Sequence, residues 1–126
     1  MNATHPEGNA TYTAGAAIAK GEVVKFSSGK VVKCTGDTDA AIGVALDSAA
    51  ADGDIIPVAV LGNFHGTIIV KATEAISAGA GVNPTGGAAA AGDLVIGRAL
   101  TAATASGDMI EVAHCVAGLL AGPAAA

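Results

Sequence analysis

Ile42-Gly43-Val44-Ala45-Leu46, then Gly53-Asp54-Ile55-Ile56-Pro57-Val58, returns later as Ile96-Gly97-Arg98-Ala99-Leu100 and Gly107-Asp108-Met109-Ile110-Glu111-Val112. Both blocks recur at an offset of 54 residues. Upstream, Ala17-Ile18-Ala19-Lys20-Gly21 matches Ala75-Ile76-Ser77-Ala78-Gly79, and Val24 falls opposite Val82, at an offset of 58. One four-residue shortening between Gly29 and Gly92 reconciles the two offsets. Identical order, matching glycines and a single gap indicate a duplicated unit.

Each copy reads as short strands joined by turns. Glu22 to Phe26 and Lys30 to Cys34 flank Ser27-Ser28-Gly29, which is hairpin chemistry. Further strands are predicted at Ala41 to Leu46, Ile55 to Leu61 and Thr67 to Lys71, then at Leu94 to Leu100 and Met109 to Val116. Pro57 suggests an edge position for its strand, because proline cannot donate to a ladder. Asp47 to Ala51 and Thr101 to Ser106 are rich in Ala but too short to hold a helix alone. Turn signals every eight to twelve residues predict an all-β fold, a small barrel or sandwich. The expected organisation is one compact domain. An extended N-terminal arm covers 1–14, the two β units cover 15–72 and 73–117, and a tail covers 118–126.

Composition sets limits on the core and on partners. The only aromatic residues are Tyr12, Phe26 and Phe64, so Val, Ile, Leu and Ala must fill the interior. Ordering each residue costs roughly 1–2 kcal/mol, and eighteen glycines raise that cost. Extra burial by oligomerisation or docking is therefore expected. Six Lys and Arg stand against eleven Asp and Glu, a net charge of −5, which argues against phosphate-backbone contacts and so against a nucleic-acid partner. No apolar run reaches the length of a membrane span, and Met1 to Thr13 lacks a secretory signal pattern. Synthesis in a host cytoplasm is the expectation. Cys34 and Cys115 then read as free thiols, and the Asn-Ala-Thr sequons at Asn2 and Asn9 carry no weight.

The search for chemistry yields no cofactor and no catalytic residue. A Walker loop is missing, and Gly79-Ala80-Gly81 lacks the rest of a dinucleotide fingerprint. The Gly- and Ala-rich stretch 80–92 reads as a flexible surface loop. His114 and Cys115 are adjacent, so on a strand they face opposite ways and cannot chelate together; no metal site is expected. Asp37, Asp39, Asp52, Asp54, Asp93 and Asp108 stand beside turn glycines or in predicted turns, where a carboxylate caps backbone amides. The protein is not expected to be an enzyme.

From Gly15 onward the chain resembles the phage capsid cement family. The resemblance rests on Ile18-Ala19-Lys20-Gly21-Glu22-Val23-Val24, Ile42-Gly43-Val44-Ala45, Gly53-Asp54 and a valine-rich strand leading to Gly62, with the matching blocks of the second half. Lys30-Val31-Val32, Gly36-Asp37-Thr38-Asp39 and Gly62-Asn63-Phe64 are also similar to lambda-type head decoration proteins. Together the likeness spans roughly residues 15 to 115. It implies a β-rich trimer at or near three-fold positions on the outer surface of an icosahedral head. It also implies an N-terminal arm that engages the major capsid protein.

Asn2, His5, Pro6, Asn9 and Tyr12 are therefore the candidate capsid-binding residues, Tyr12 as an anchor of the type enriched at interfaces. Phe64, His65, Val116, Leu119 and Leu120 are the candidate oligomer contacts. The rival expectation is a self-assembling fibre, tube or shell subunit built from the same duplicated unit.

Overall fold

The computed structural model describes residues 8–36, 38–90 and 92–120, the last five of these by their backbone alone. Among them there is no helix. The strands are β1 (Asn9–Thr13), β2 (Val23–Ser27), β3 (Lys30–Lys33), β4 (Ala41–Ala45), β5 (Ile55–Val60), β6 (Ile68–Lys71), β7 (Gly81–Val82), β8 (Leu94–Ala99) and β9 (Met109–Leu120). They form two antiparallel sheets, a five-stranded one in the order β1-β5-β4-β2-β3 and a four-stranded one in the order β6-β9-β8-β7.

Neither sheet closes into a barrel; two residues past the edge strands β1 and β6, one amide in each lobe bonds across that lobe. Gly15 N donates to Val31 O at 2.8 Å in the first, and Thr73 N to Gly86 O at 3.1 Å in the second. The bonding scheme of the first half recurs in the second. Ile18 and Ala49 exchange amide bonds of 2.9 and 2.8 Å, and Ile76 and Ala103 exchange bonds of 3.0 and 2.9 Å. Gly53 N donates to Ala14 O, and Gly107 N to Ala72 O. Strand register agrees as well: Val44 pairs with Ala59 and Ala45 with Val58, as Arg98 pairs with Ala113 and Ala99 with Val112.

Alternation along these strands sorts side chains into two interiors. Ala14, Ile18, Val24, Ala45, Ala49, Ile56 and Val58 fill the first lobe. Ala72, Ile76, Val82, Ala99, Ala103, Ile110 and Val112 fill the second. At all seven corresponding positions the residue type is the same. The opposite face of the first sheet contributes Val23, Val44, Ala59 and Leu61, which together with Cys34 join the second lobe's interior in one buried cluster. Lys71 N also donates to Gly21 O at 2.9 Å, tying β6 to the first lobe across this seam.

Four features differ from the sequence reading. Residues 9–13 of the expected arm are strand β1, hydrogen-bonded along β5 from Asn9↔Ala59 to Thr13↔Ile55. Because β1 lies outside it, β5 is an interior strand, and Pro57 is not at an edge. Its carbonyl accepts from Leu46 N at 2.9 Å just past β4, so the missing amide faces the point where that ladder stops. Within the stretch 80–92, residues 80–90 form an organised turn rather than a loose surface loop, with Asn83, Pro84, Gly86 and Gly87 buried. Asn83 Oδ1 accepts from Thr85 N (3.0 Å), Thr85 Oγ1 (2.6 Å) and Gly87 N (3.1 Å), and its Nδ2 donates to Asp93 Oδ2 at 3.1 Å. Strand β6, placed with the first unit on the sequence boundaries, is bonded to β9 in the second sheet.

Candidate functional site

Of the carboxylates with turn spacing, Asp39, Asp54, Asp93 and Asp108 accept from backbone amides, whereas Asp52 pairs with Lys30 at 2.8 Å. Asp54 Oδ2 accepts from Ala50 N at 2.8 Å and Ala51 N at 3.3 Å, and Asp108 Oδ2 does the same with Thr104 N at 2.8 Å and Ala105 N at 3.2 Å. Thr104 Oγ1 adds a further bond at 2.9 Å. These donors, Thr104 N first, hold the Asp108 carboxyl below the usual carboxylate range. Asp39 Oδ2 accepts from Thr35 N and Gly36 N, both at 2.9 Å, and pairs with Lys25 at 3.1 Å. The Gly36 amide is the main reason its carboxyl is also lowered, with Lys25 assisting. Asp37 lies outside the described residues.

A cleft of about 420 Å³ lies at the seam, lined among others by Glu22, Lys33, Cys34, Lys71, Thr85 and Ser106. Lys33 and Glu22 approach to 3.6 Å within it. Burial, reinforced by the nearby Asp39 charge, pushes the Cys34 thiol up to about 12. It is therefore protonated at neutral pH and is no nucleophile. Cys34 and Cys115 are both free thiols. Among the described residues, no three His, Cys, Asp or Glu side chains converge as metal ligands.

The sequence-predicted contact residues divide between two places. Gly8 O accepts from Val60 N at 2.8 Å, and Gly8 packs against the backbone of Asn63 and Phe64. Asn9, exposed at the start of β1, therefore stands at the same end of the molecule as the 62–66 loop that carries Phe64 and His65. That loop is held by His114 of β9, a residue the sequence reading assigned no role. Its Nδ1 accepts from Gly62 N at 2.9 Å, and its Nε2 lies 2.8 Å from Gly66 O. Phe64 is half-buried, packs on the main core and stands 6.3 Å from the His114 ring, while His65 is exposed.

Tyr12 is elsewhere, on the flank of the first lobe. Its ring meets Phe26 edge-on, with centroids 5.3 Å apart. Val116, Leu119 and Leu120 belong to the last stretch of β9, where the backbone of Leu119 and Leu120 pairs with Val95 and Leu94. Their side chains lie outside the described residues, as do Asn2, His5 and Pro6. The offset of 58 aligns Ala10–Thr13 with Ile68–Lys71 and is the signal that would have found β1 in the sequence. No sequence signal marks the pairing of His114 with Gly62.

The geometry is thus one of pinned turns, an exposed end and two bonded sheets, with Asp39, Asp54, Asp108 and His114 spent on the backbone. A comparison with curated proteins finds no match. The sequence model of the phage cement proteins matches residues 4–114, which takes in β1 to β8 and β9 as far as the His114 latch. The chain belongs to the phage cement protein family.

Proposed function

We propose that the protein binds the outer surface of an icosahedral phage head as a homo-oligomer, a trimer, and stabilises that shell without catalysing a reaction. The match of residues 4–114 to the cement family carries this reading. On this reading the protein works on the virion, after synthesis in the host cytoplasm, with the major capsid protein and further copies of itself as partners. In this role a symmetric oligomer offers identical contacts to several capsid subunits, so that modest individual interfaces combine through effective concentration.

The contact end proposed is the one that carries Gly8, Asn9 and the 62–66 loop. Asn2, His5, Pro6 and Asn9 serve the capsid, and Tyr12 anchors the strand that Asn9 begins. Phe64, His65, Val116, Leu119 and Leu120 serve neighbouring copies. Strand β1 supports this division of labour: it is a sheet edge, and edge strands accept an added strand from a partner.

The test is size exclusion with light scattering, on the protein alone and mixed with undecorated heads, for the wild type and for a variant lacking residues 1–7. Co-elution of the wild type with heads, and a weaker co-elution of the shortened chain at unchanged thermal stability, is the expected result. A protein that ignores heads at every concentration would overturn the reading.

A further inference from the structure

The two lobes meet through a socket and a peg, and the chain carries a second, unused example of each. The socket is Gly21. A Cβ placed there would stand 2.9 Å from Met109 Cε and 3.0 Å from Lys71 N, and the Gly21 carbonyl accepts the Lys71 amide at 2.9 Å. Gly79 holds the same place in the second lobe. Its φ is +89° against +90° for Gly21, and its amide reaches Ala99 O at 2.7 Å as Gly21's reaches Ala45 O at 2.9 Å. A Cβ placed at Gly79, however, would meet nothing within 4 Å.

The peg repeats in the same way. Met109 stands opposite Lys71 as Ile55 stands opposite Thr13. Met109 reaches Gly21 with its terminal methyl and is 47% exposed, whereas Ile55 is 70% exposed, more than any other large apolar side chain among the described residues. Beside the socket, Leu46 packs against the seam cluster while its counterpart Leu100 is 49% exposed. Each lobe therefore has both halves of one joint. Within the chain only the first lobe's socket and the second lobe's peg are used.

We infer that the second lobe's face at Gly79 and Leu100 receives the Ile55 end of the first lobe from another copy, repeating between chains the contact the lobes make within one. Arg98 Nη1 already donates to Gly79 O at 3.0 Å. A carbonyl has two lone pairs, so one remains for the incoming Thr13 amide. A joint of this kind is head-to-tail, and successive copies close into a ring when the rotation allows. The inference rests on the oligomeric part of the function proposed above and adds a further contact between copies to those proposed there.

The experiment is light scattering of the purified full-length wild type, Ile55→Glu, Leu100→Glu and Phe26→Ser, with circular dichroism to show that each remains folded. All three positions are exposed. The wild type is expected as a discrete oligomer, Ile55→Glu and Leu100→Glu as monomers, and Phe26→Ser as the wild type. An equimolar mixture of Ile55→Glu and Leu100→Glu should recover dimers, because each variant keeps the half of the joint the other lacks. Folded variants that assemble like the wild type, a mixture that stays monomeric, or an equal loss in Phe26→Ser would overturn the inference. A wild type that is monomeric alone overturns it too; if that monomer still co-elutes with heads, head binding stands without this joint.

Discussion

His114 Nδ1 accepts the amide proton of Gly62 at 2.9 Å across 52 residues of chain. With Nδ1 accepting, the proton sits on Nε2 and is donated to Gly66 O, so one neutral ring clamps both ends of the 62–66 loop. His114→Ala removes both bonds at a partly exposed site, which should cost about 1–2 kcal/mol. Amide exchange at Gly62 should accelerate while that of Val112, in the ladder between β6 and β9, stays slow. Unchanged protection at Gly62 would show that the loop holds itself.

Gly43 and Gly97 are matched close-approach positions. A Cβ at Gly43 would press on the Ala59 carbonyl, and one at Gly97 on the Ala113 carbonyl. Neither neighbour is a flexible side-chain end, so the strands themselves must shift. Each Gly→Ala change is expected to lower stability by about 2–4 kcal/mol. Urea midpoints would measure it, and a loss at only one site would mean that the lobes differ in rigidity.

Acid should weaken the fold through Asp39 and Asp108, whose carboxyls are lowered chiefly by backbone amides. A lowered native pKa means that the unfolded chain takes up protons first as the pH drops. The stabilisation is therefore complete above the ordinary carboxylate range and disappears as pH falls through the lowered native values. Asp108→Asn keeps an acceptor for Thr104 N but cannot titrate, so melting temperature plotted against pH should have a shallower acid limb. An identical limb would assign acid sensitivity to other groups.

Cys34 gives the opposite limb. With its thiol raised to about 12, the native state holds the proton while the unfolded chain releases it near the ordinary value of 9.0. This contribution is whole below that value and is lost as the pH climbs toward 12. Cys34→Ala should flatten the alkaline decline. Iodoacetamide on the native protein at neutral pH should modify the half-buried Cys115 well before Cys34, read by peptide mass.

Asn83 organises the 83–93 turn with its side-chain amide fully engaged. Asn83→Ala strands several buried partners and should cost about 3 kcal/mol, with the denaturant midpoint falling and its slope unchanged. Asn83→Asp is expected to fare no better, since the donor to Asp93 becomes an acceptor facing an acceptor.

Most strands were readable because β-branched runs such as Val31-Val32 and Ile68-Ile69-Val70 alternate with turn residues such as Ser28-Gly29. Those two residues have φ of +52° and +80°, as a two-residue hairpin loop requires. Strand β1 escaped notice because Ala10-Thr11-Tyr12-Thr13 is half polar. Ala10 is buried, Tyr12 and Thr13 are half-buried and Thr11 is exposed, and its partner β5 is more than forty residues away. Missing β1 then put Pro57 at an edge. Asn83 looked like any loop residue among alanines and glycines, because composition does not show what a side-chain amide will reach. Turn capping by Asp54 and Asp108 was legible, since that chemistry is local. The His114 latch was not, since its partners are backbone atoms brought together only by folding.

The edge-on meeting of Tyr12 and Phe26 has an optical consequence. Tyr12 is the only tyrosine and the chain has no tryptophan, so tyrosine emission from the protein comes from one ring on β1. That ring sits against Phe26 of β2, on the surface of the first lobe. A partner that lifts or covers β1 changes the surroundings of this single fluorophore. Capsid attachment can then be followed without a label, provided the shell's own emission is subtracted.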